Sequence, residues 1–126
     1  MKIYLAGKWA DRVDIRTVMD SLEAKGHVIT HDWTACESSD ERTPEYLQRC
    51  AHNDIEGVRN SELIIVLMTD PKYPYRGSFT EIGAAVALGR PVHIVCPLEE
   101  AYCRTNCFFW HQGIAHYQQL SEVPGL

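Results

Sequence analysis

Short apolar runs alternate with longer amphipathic segments along most of the chain. An alternation of strands and helices is typical of a parallel sheet that helices cover on both faces. We therefore predict a single α/β domain over residues 1–126, built on a doubly wound parallel sheet. The apolar runs predict strands at residues 2–6, 27–33, 62–68, 91–96 and, more weakly, 114–117.

Two helices follow from the helical period of the segments between these strands. The first is predicted over residues 11–25. The second begins at Thr43, whose side chain caps a helix that has Pro44 in its first turn, and it runs to about Arg59. The polar segment 34–42 is predicted to be a mobile loop. Because crossovers between parallel strands are right-handed, we predict the flavodoxin-like strand order 2-1-3-4-5.

Glu81 lies among small residues where a third helix begins, in the segment from Gly77 to Gly83. Thr80 or Ser78 is predicted to cap this helix, which places Glu81 in its first turn. There the positive end of the helix dipole favours an ionised carboxylate. The preceding strand puts Glu81 at the carboxyl edge of the sheet, where open α/β folds bind ligands. The alternative interpretation is a solvated glutamate that only complements the dipole.

Composition narrows the class of function. The 126 residues include 12 basic and 17 acidic ones, with net charge -5 and no basic run. Nucleic acid is therefore not an expected partner. No apolar stretch approaches the length of a membrane span, and residues 1–7 are too short for the apolar core of a signal peptide. We expect a cytoplasmic protein without a membrane partner.

The five cysteines are an odd number, which indicates reduced thiols in a chain without a signal peptide. Cys103, Cys107, His111 and His116 are close enough in sequence to suggest a zinc site. Their spacing departs from the usual Cys-x2-Cys pair, and aromatic side chains fill the interval. We predict no metal site and no cofactor.

The end of the first strand is a second candidate for ligand binding. Tyr4 and Trp9 flank Gly7 there, and a glycine lets a ligand approach the backbone closely. These residues and Glu81 are predicted to share one edge of the sheet.

Two polar residues have ordinary structural alternatives. Asp54 lies beside the apolar stripe of the second helix, where an ion pair with Arg49 or Arg59 is the alternative to a catalytic role. Asn106 lies in a weakly patterned segment and is by default a turn residue.

Several blocks of the chain resemble the nucleoside 2-deoxyribosyltransferase family. They are residues 3–9 (IYLAGKW), 53–58 (NDIEGV), 77–83 (GSFTEIG) with 87–92 (ALGRPV), and the weaker 105–110 (TNCFFW). Each block alone is a weak signal, but together they occur in the family's order from residue 3 to about residue 110.

The resemblance implies a double displacement at C1′ of a 2′-deoxynucleoside. Glu81 matches the family's nucleophile, which forms a covalent deoxyribosyl ester that a second base attacks with net retention. Asp54 matches the acid that contacts the sugar, and Tyr4 matches the tyrosine that holds the nucleophile. Trp9 matches a residue of the base pocket. Asn106 matches a residue that reaches into a neighbouring subunit's site, so the resemblance implies a homodimer or a higher homo-oligomer.

One departure concerns the leaving base. Members of the family commonly carry an aspartate six residues before the nucleophile, and Tyr75 occupies that position here. Asp70 is too distant to match directly, unless the longer loop folds it inward. The related 2′-deoxynucleoside 5′-monophosphate N-hydrolases share the tyrosine, aspartate and glutamate, and in this chain Ser78, Arg76 or Thr105 would bind their 5′-phosphate.

Three functions therefore stay open. They are a deoxyribosyltransferase that moves the sugar between nucleobases, a 5′-monophosphate N-hydrolase, and a non-catalytic nucleotide-sensing module. The partners expected for the enzymes are a nucleoside or nucleotide and a free nucleobase. The predicted catalytic residues are Glu81, Asp54 and Tyr4. The predicted substrate-binding residues are Gly7, Trp9, Tyr75, Arg76, Gly77, Ser78 and Asn106.

Overall fold

The computed structural model describes residues 1–36 and 42–126. Within these residues one sheet of parallel strands has the order β2-β1-β3-β4-β5, which confirms the predicted topology. Its strands are β1 (Lys2–Ala6), β2 (Val28–Ile29), β3 (Leu63–Leu67), β4 (Val92–Val95) and β5 (Ile114–Tyr117).

Helices cover both faces of this sheet. They are α1 (Arg12–Ala24), α2 (Pro44–Asn60) and α3 (Arg76–Ala87). Ile3 and Leu5 of β1 pack with the apolar side of α1, whereas Tyr4 and Ala6 pack with α2 and α3. Because side chains alternate along a strand, the even positions of β1 face the pair of helices that carries Asp54 and Glu81.

The second helix begins as predicted. Thr43 Oγ1 accepts a hydrogen bond from the Tyr46 backbone N–H at 3.2 Å, and Pro44 is the first helical residue. The loop that precedes it was predicted over residues 34–42, of which 37–41 lie outside the described residues.

The second strand is shorter than predicted. After Ile29 the chain leaves the sheet edge, and a 3-10 turn forms at Trp33–Ala35. The Trp33 indole Nε1 then donates to the Leu5 carbonyl oxygen at 2.7 Å, so a side chain takes the acceptor that a longer strand would use.

The start of α3 differs from the prediction. The helix begins at Arg76, and Tyr75 precedes it in the left-handed region at φ 53°. Thr80 and Ser78 therefore lie inside the helix, where Thr80 Oγ1 donates to the Arg76 carbonyl oxygen at 3.0 Å. Neither is the cap, and Glu81 lies in the second turn rather than the first.

The segment after β4 folds into two 3-10 turns, Tyr102–Thr105 and Cys107–Trp110. Phe109 is fully buried between the sheet and α3, whereas Phe108 and Trp110 are more than half exposed. No helix in the described parts of the chain is both long and apolar enough to cross a membrane.

Candidate active site

A cavity of about 470 Å³ opens at the carboxyl edge of the sheet. It lies between the ends of β1 and β3, the flank of α2 and the first turns of α3. Its volume falls within the range of about 300–1,000 Å³ that is usual for small-molecule sites. The residues that line it are Tyr4, Gly7, Trp9, Trp33, Cys36, Arg42, Tyr46, Leu47, Cys50, Asp54, Tyr73, Tyr75, Gly77, Ser78 and Glu81.

Tyr4, Asp54 and Glu81 meet in this cavity from three different elements. Tyr4 is fully buried on β1, and its hydroxyl donates a hydrogen bond to Glu81 Oε2 on α3. Asp54, on α2, interacts with the same hydroxyl. The phenol therefore lies between two carboxylates.

Burial sets the protonation of this cluster. It raises the pKa of Glu81 to about 8, a rise that the nearby Asp54 charge increases and the Tyr4 hydrogen bond opposes. Burial also raises the pKa of Asp54, while the neighbouring His31 lowers it. The pKa of Tyr4 rises through burial and through both carboxylates. Tyr4 thus remains a hydrogen-bond donor, and the cluster of Tyr4, Asp54 and Glu81 holds a proton at neutral pH.

The partner of Asp54 is not the predicted arginine. His31 Nε2 lies 3.5 Å from Asp54 Oδ1. Arg59 instead pairs with Glu56 one turn away at 3.0 Å, and the Arg49 guanidinium lies over the Tyr46 ring. Arg49 and Arg59 could be proposed because they lie near Asp54 in the sequence of the same helix, whereas His31 comes from a distant segment of the chain.

Gly57 allows α2 to approach the Tyr4 ring closely. A Cβ atom at this position would lie 2.8 Å from Tyr4 Cδ2 and Cε2 and 2.8 Å from His31 Cβ. Real Cβ contacts are longer than this, so the lack of a side chain is what lets Tyr4 and His31 occupy their places.

The aromatic wall of the cavity comes from the three segments that follow β1, β2 and β3. The ring centroids of Trp9 and Trp33 lie 6.2 Å apart, and Tyr73 meets Tyr75 edge to face at 4.9 Å. Flat, partly exposed rings around a cavity suit a planar heterocycle. Tyr75 is buried and strained at positive φ, and such residues cluster at functional sites.

The predicted substrate-binding residues divide into two sets. Arg76 and Asn106 do not line the cavity. Arg76 is exposed at the start of α3, and the Asn106 side chain caps a 3-10 turn by accepting the Phe108 N–H at 2.9 Å. Asp70 does not line the cavity either, because it binds Lys8 Nζ at 2.7 Å. The set that does line it comprises Gly7, Trp9, Tyr75, Gly77 and Ser78.

Several lining residues were not predicted. Tyr46 and Cys50 are two of these, and they are spaced four residues apart on α2 and lead to the predicted Asp54, so the three residues share one face of the helix. That spacing was a usable signal in the sequence. Trp33 carried no comparable signal, because its place depends on how early the second strand ends.

The residues considered for zinc do not form a cluster. Cys103 Sγ lies 3.9 Å from Cys96 Sγ in the core, and His116 Nε2 lies 2.6 Å from the Phe109 carbonyl oxygen. Among residues 1–36 and 42–126 there is no group of three or more side chains suited to a metal ion.

Comparisons with known proteins agree with this fold. The family model for nucleoside 2-deoxyribosyltransferase matches residues 3–121. A search among curated proteins finds no match. A 2-deoxyribosyltransferase from Bacillus psychrosaccharolyticus is similar in structure, with a TM-score of 0.76, 21% identity and coverage of 100% of this chain and 92% of the other. The CMP N-glycosidase BcmB of Clostridium botulinum is also similar in structure, with a TM-score of 0.58, 19% identity and coverage of 94% of this chain and 91% of the other. At these identities the two structures show a shared fold.

Proposed function

The chain belongs to the nucleoside 2-deoxyribosyltransferase family, and from this premise we propose that it cleaves the N-glycosidic bond of a 2′-deoxynucleoside and transfers the sugar to another base. Membership makes it a glycosyl transferase or hydrolase. The observation that carries the more specific proposal is the convergence of Tyr4, Asp54 and Glu81 in one cavity. A module that only senses nucleotides has no need of a buried carboxylate held by a tyrosine.

Glu81 is the proposed nucleophile. In its ionised form it bonds to C1′ while the bond between C1′ and the base nitrogen breaks, and the electron pair leaves with the base. The ester then breaks as a nitrogen of a second base bonds to C1′ from the opposite side to the ester. Two inversions give net retention. The carboxylate is regenerated as its bond to C1′ breaks, and the proton that the incoming nitrogen loses balances the proton that the departing base takes up.

Tyr4 and Asp54 have supporting roles in this proposal. The Tyr4 hydroxyl fixes the rotamer of Glu81 through their hydrogen bond. The raised pKa of Tyr4 keeps that hydroxyl protonated, so it stays a donor while the ester forms and breaks. Asp54 lies on the other side of the phenol, where its carboxylate can accept a hydrogen bond from the deoxyribose.

A second candidate is the hydrolysis of a 2′-deoxynucleoside 5′-monophosphate, in which water replaces the acceptor base. Gly77 and the buried Ser78 bring the first turn of α3 to the cavity wall. A helix N-terminus of this kind suits a phosphate group. Asn106, which matches a transferase residue in the family, lies outside the cavity of the single chain.

The proposed oligomer would bring Asn106 to a site. Tyr102, Phe108 and Trp110 are 54–59% exposed on the same segment, which is a large apolar surface for a single subunit. A second copy of the chain that covers these rings would also carry its own Asn106 towards the cavity.

One assay separates the two enzymes. The protein is incubated with deoxynucleosides and with their 5′-monophosphates, with and without a free acceptor base, and the products are identified by chromatography. A new nucleoside that appears only with the acceptor supports the transferase. Free base and deoxyribose 5-phosphate without an acceptor support the hydrolase. Absence of both products from every substrate would contradict the proposal.

A further inference from the structure

The reaction proposed above leaves His31 without a role. This residue lies between β2 and the 3-10 turn at Trp33–Ala35, and its Nε2 atom is buried. Among the described residues that atom has no hydrogen-bond partner, although Asp54 Oδ1 is 3.5 Å away. A buried polar atom without a partner costs stability, so its place beside a carboxylate needs an explanation.

The backbone holds His31 against α2. Thr30 Oγ1 donates to the Gly57 carbonyl oxygen at 2.7 Å, which ties the neighbouring residue to the helix. Gly57 also provides the space for the start of the His31 side chain, since a Cβ there would lie 2.8 Å from His31 Cβ. The position of the imidazole is therefore fixed by the fold and not by a flexible loop.

The charged groups around this ring leave Asp54 as its partner. Asp32, the next residue in the chain, is already bound by Arg16 Nη1 at 2.9 Å and by the Thr34 hydroxyl. Asp54 on α2 lies 3.5 Å from the ring, and both His31 and the Tyr4 ring on β1 lie against Gly57 of α2. The Cys36 thiol also interacts with Asp54 and Asp32.

We propose that His31 is a positioning residue whose ring lies against the Asp54 carboxylate and, when charged, keeps it ionised and in place. Asp54 is then able to accept a hydrogen bond from the sugar and leaves the Tyr4 hydroxyl to Glu81. This inference rests on the proposed function, because it assigns a task to Asp54 in that reaction.

The electrostatics of the pair support the proposal. Burial raises the pKa of Asp54, and the charge of His31 is the largest opposing influence. The 3.5 Å separation is longer than a normal hydrogen bond. Contacts of this kind are often long in a free enzyme and shorten when substrate excludes water.

Two variants separate the charge of His31 from its other properties. His31→Gln keeps an N–H donor without the charge, and His31→Phe keeps a planar ring with neither. His52→Gln is the matched control, because His52 is exposed on the same helix as Asp54 and does not line the cavity. The carboxyl carbon of Asp54 is followed by ¹³C NMR as pH changes, with Asp54→Asn to assign the signal.

We expect the Asp54 titration to move to higher pH by about one unit in both His31 variants and to stay in place in the control. An unchanged midpoint in His31→Gln would overturn the proposal, whatever His31→Phe shows. This measurement needs no substrate, so it stands even if the proposed function fails.

Kinetics then test the link to catalysis. The ratio of kcat/KM for His31→Gln to that of wild type is expected to fall as pH is lowered through the Asp54 titration, by up to about tenfold for a one-unit shift of that titration. A loss of activity that is the same at every pH would indicate a structural role only and would also overturn the proposal.

Discussion

Replacing Glu81 by glutamine is expected to stabilise the fold, and the gain should depend on pH. Burial raises the pKa of this carboxyl from 4.5 to about 8, so the folded protein retains a proton that the unfolded chain has released. The contribution of Glu81 to stability is therefore complete below pH 4.5 and is lost as pH rises towards 8. The glutamine side chain has nearly the same shape but cannot ionise, so it escapes this loss.

The size of the effect follows from the two pKa values. A difference of one pKa unit corresponds to about 1.4 kcal/mol, so the shift from 4.5 to about 8 amounts to about 5 kcal/mol at its plateau. The free energy of unfolding of Glu81→Gln should exceed that of wild type by a margin that grows by about 4 kcal/mol between pH 5 and pH 9. A destabilisation of this size is large compared with the total stability of a small domain, which is about 5–15 kcal/mol. Destabilising groups of this kind are expected at functional sites.

Urea unfolding of the two proteins at each pH from 5 to 9 measures this advantage as a difference in the free energy of unfolding. Glu100→Gln is the matched control, because Glu100 is exposed on a loop and does not line the site cavity. Parallel stability curves for wild type and Glu81→Gln would refute the reasoning, since they would mean that Glu81 titrates alike in the folded and unfolded states.

Three further predictions concern activity. Glu81→Ala should remove nearly all turnover while circular dichroism shows a folded protein, because the covalent route is lost; retention of most activity would refute the nucleophile assignment. Gly57→Ala should force the Tyr4 ring away from Glu81, which should lower kcat/KM at least tenfold and destabilise the fold by about 1–3 kcal/mol. Gly83→Ala is the control, because a Cβ at that position meets open space. It should leave kcat/KM and stability unchanged or slightly improved. If each site is completed by a second subunit, mixing inactive Glu81→Ala protein with inactive Asn106→Ala protein should restore part of the activity. A fully active protein that light scattering shows to be a monomer would rule out a site shared between subunits.

The topology could be predicted because it depends on a repeated local pattern. The buried positions of β1 continue for four residues after Lys2, and β3 has a similarly apolar run. Strands buried on both faces require apolar side chains at almost every position, and the amphipathic segments between them require helices. Together with right-handed crossovers, these constraints leave few strand orders.

The ends of elements were less predictable because single contacts decide them. The second strand stops after Ile29, since the Trp33 indole takes the Leu5 carbonyl. The third helix starts at Arg76 because Tyr75 adopts a left-handed conformation, which is uncommon for a residue other than glycine. Ser78 has a side chain typical of a cap, yet it lies within α3.

In the candidate site, the sequence predicted which residues come together but not their protonation. The resemblance to the family implied roles for Tyr4, Asp54 and Glu81 residue by residue, and the strand order brings their elements to one edge of the sheet. The sequence indicated an ionised Glu81 at a helix N-terminus, but in the second turn of α3 burial outweighs the dipole and raises its pKa to about 8. That reversal depends on the burial of the carboxyl and on the nearby Asp54 charge, which together outweigh the Tyr4 hydrogen bond that lowers the pKa. Asp54 is itself paired with His31, a residue far from every motif. The properties that tune the proposed nucleophile therefore belong to the fold and not to the motif that contains it.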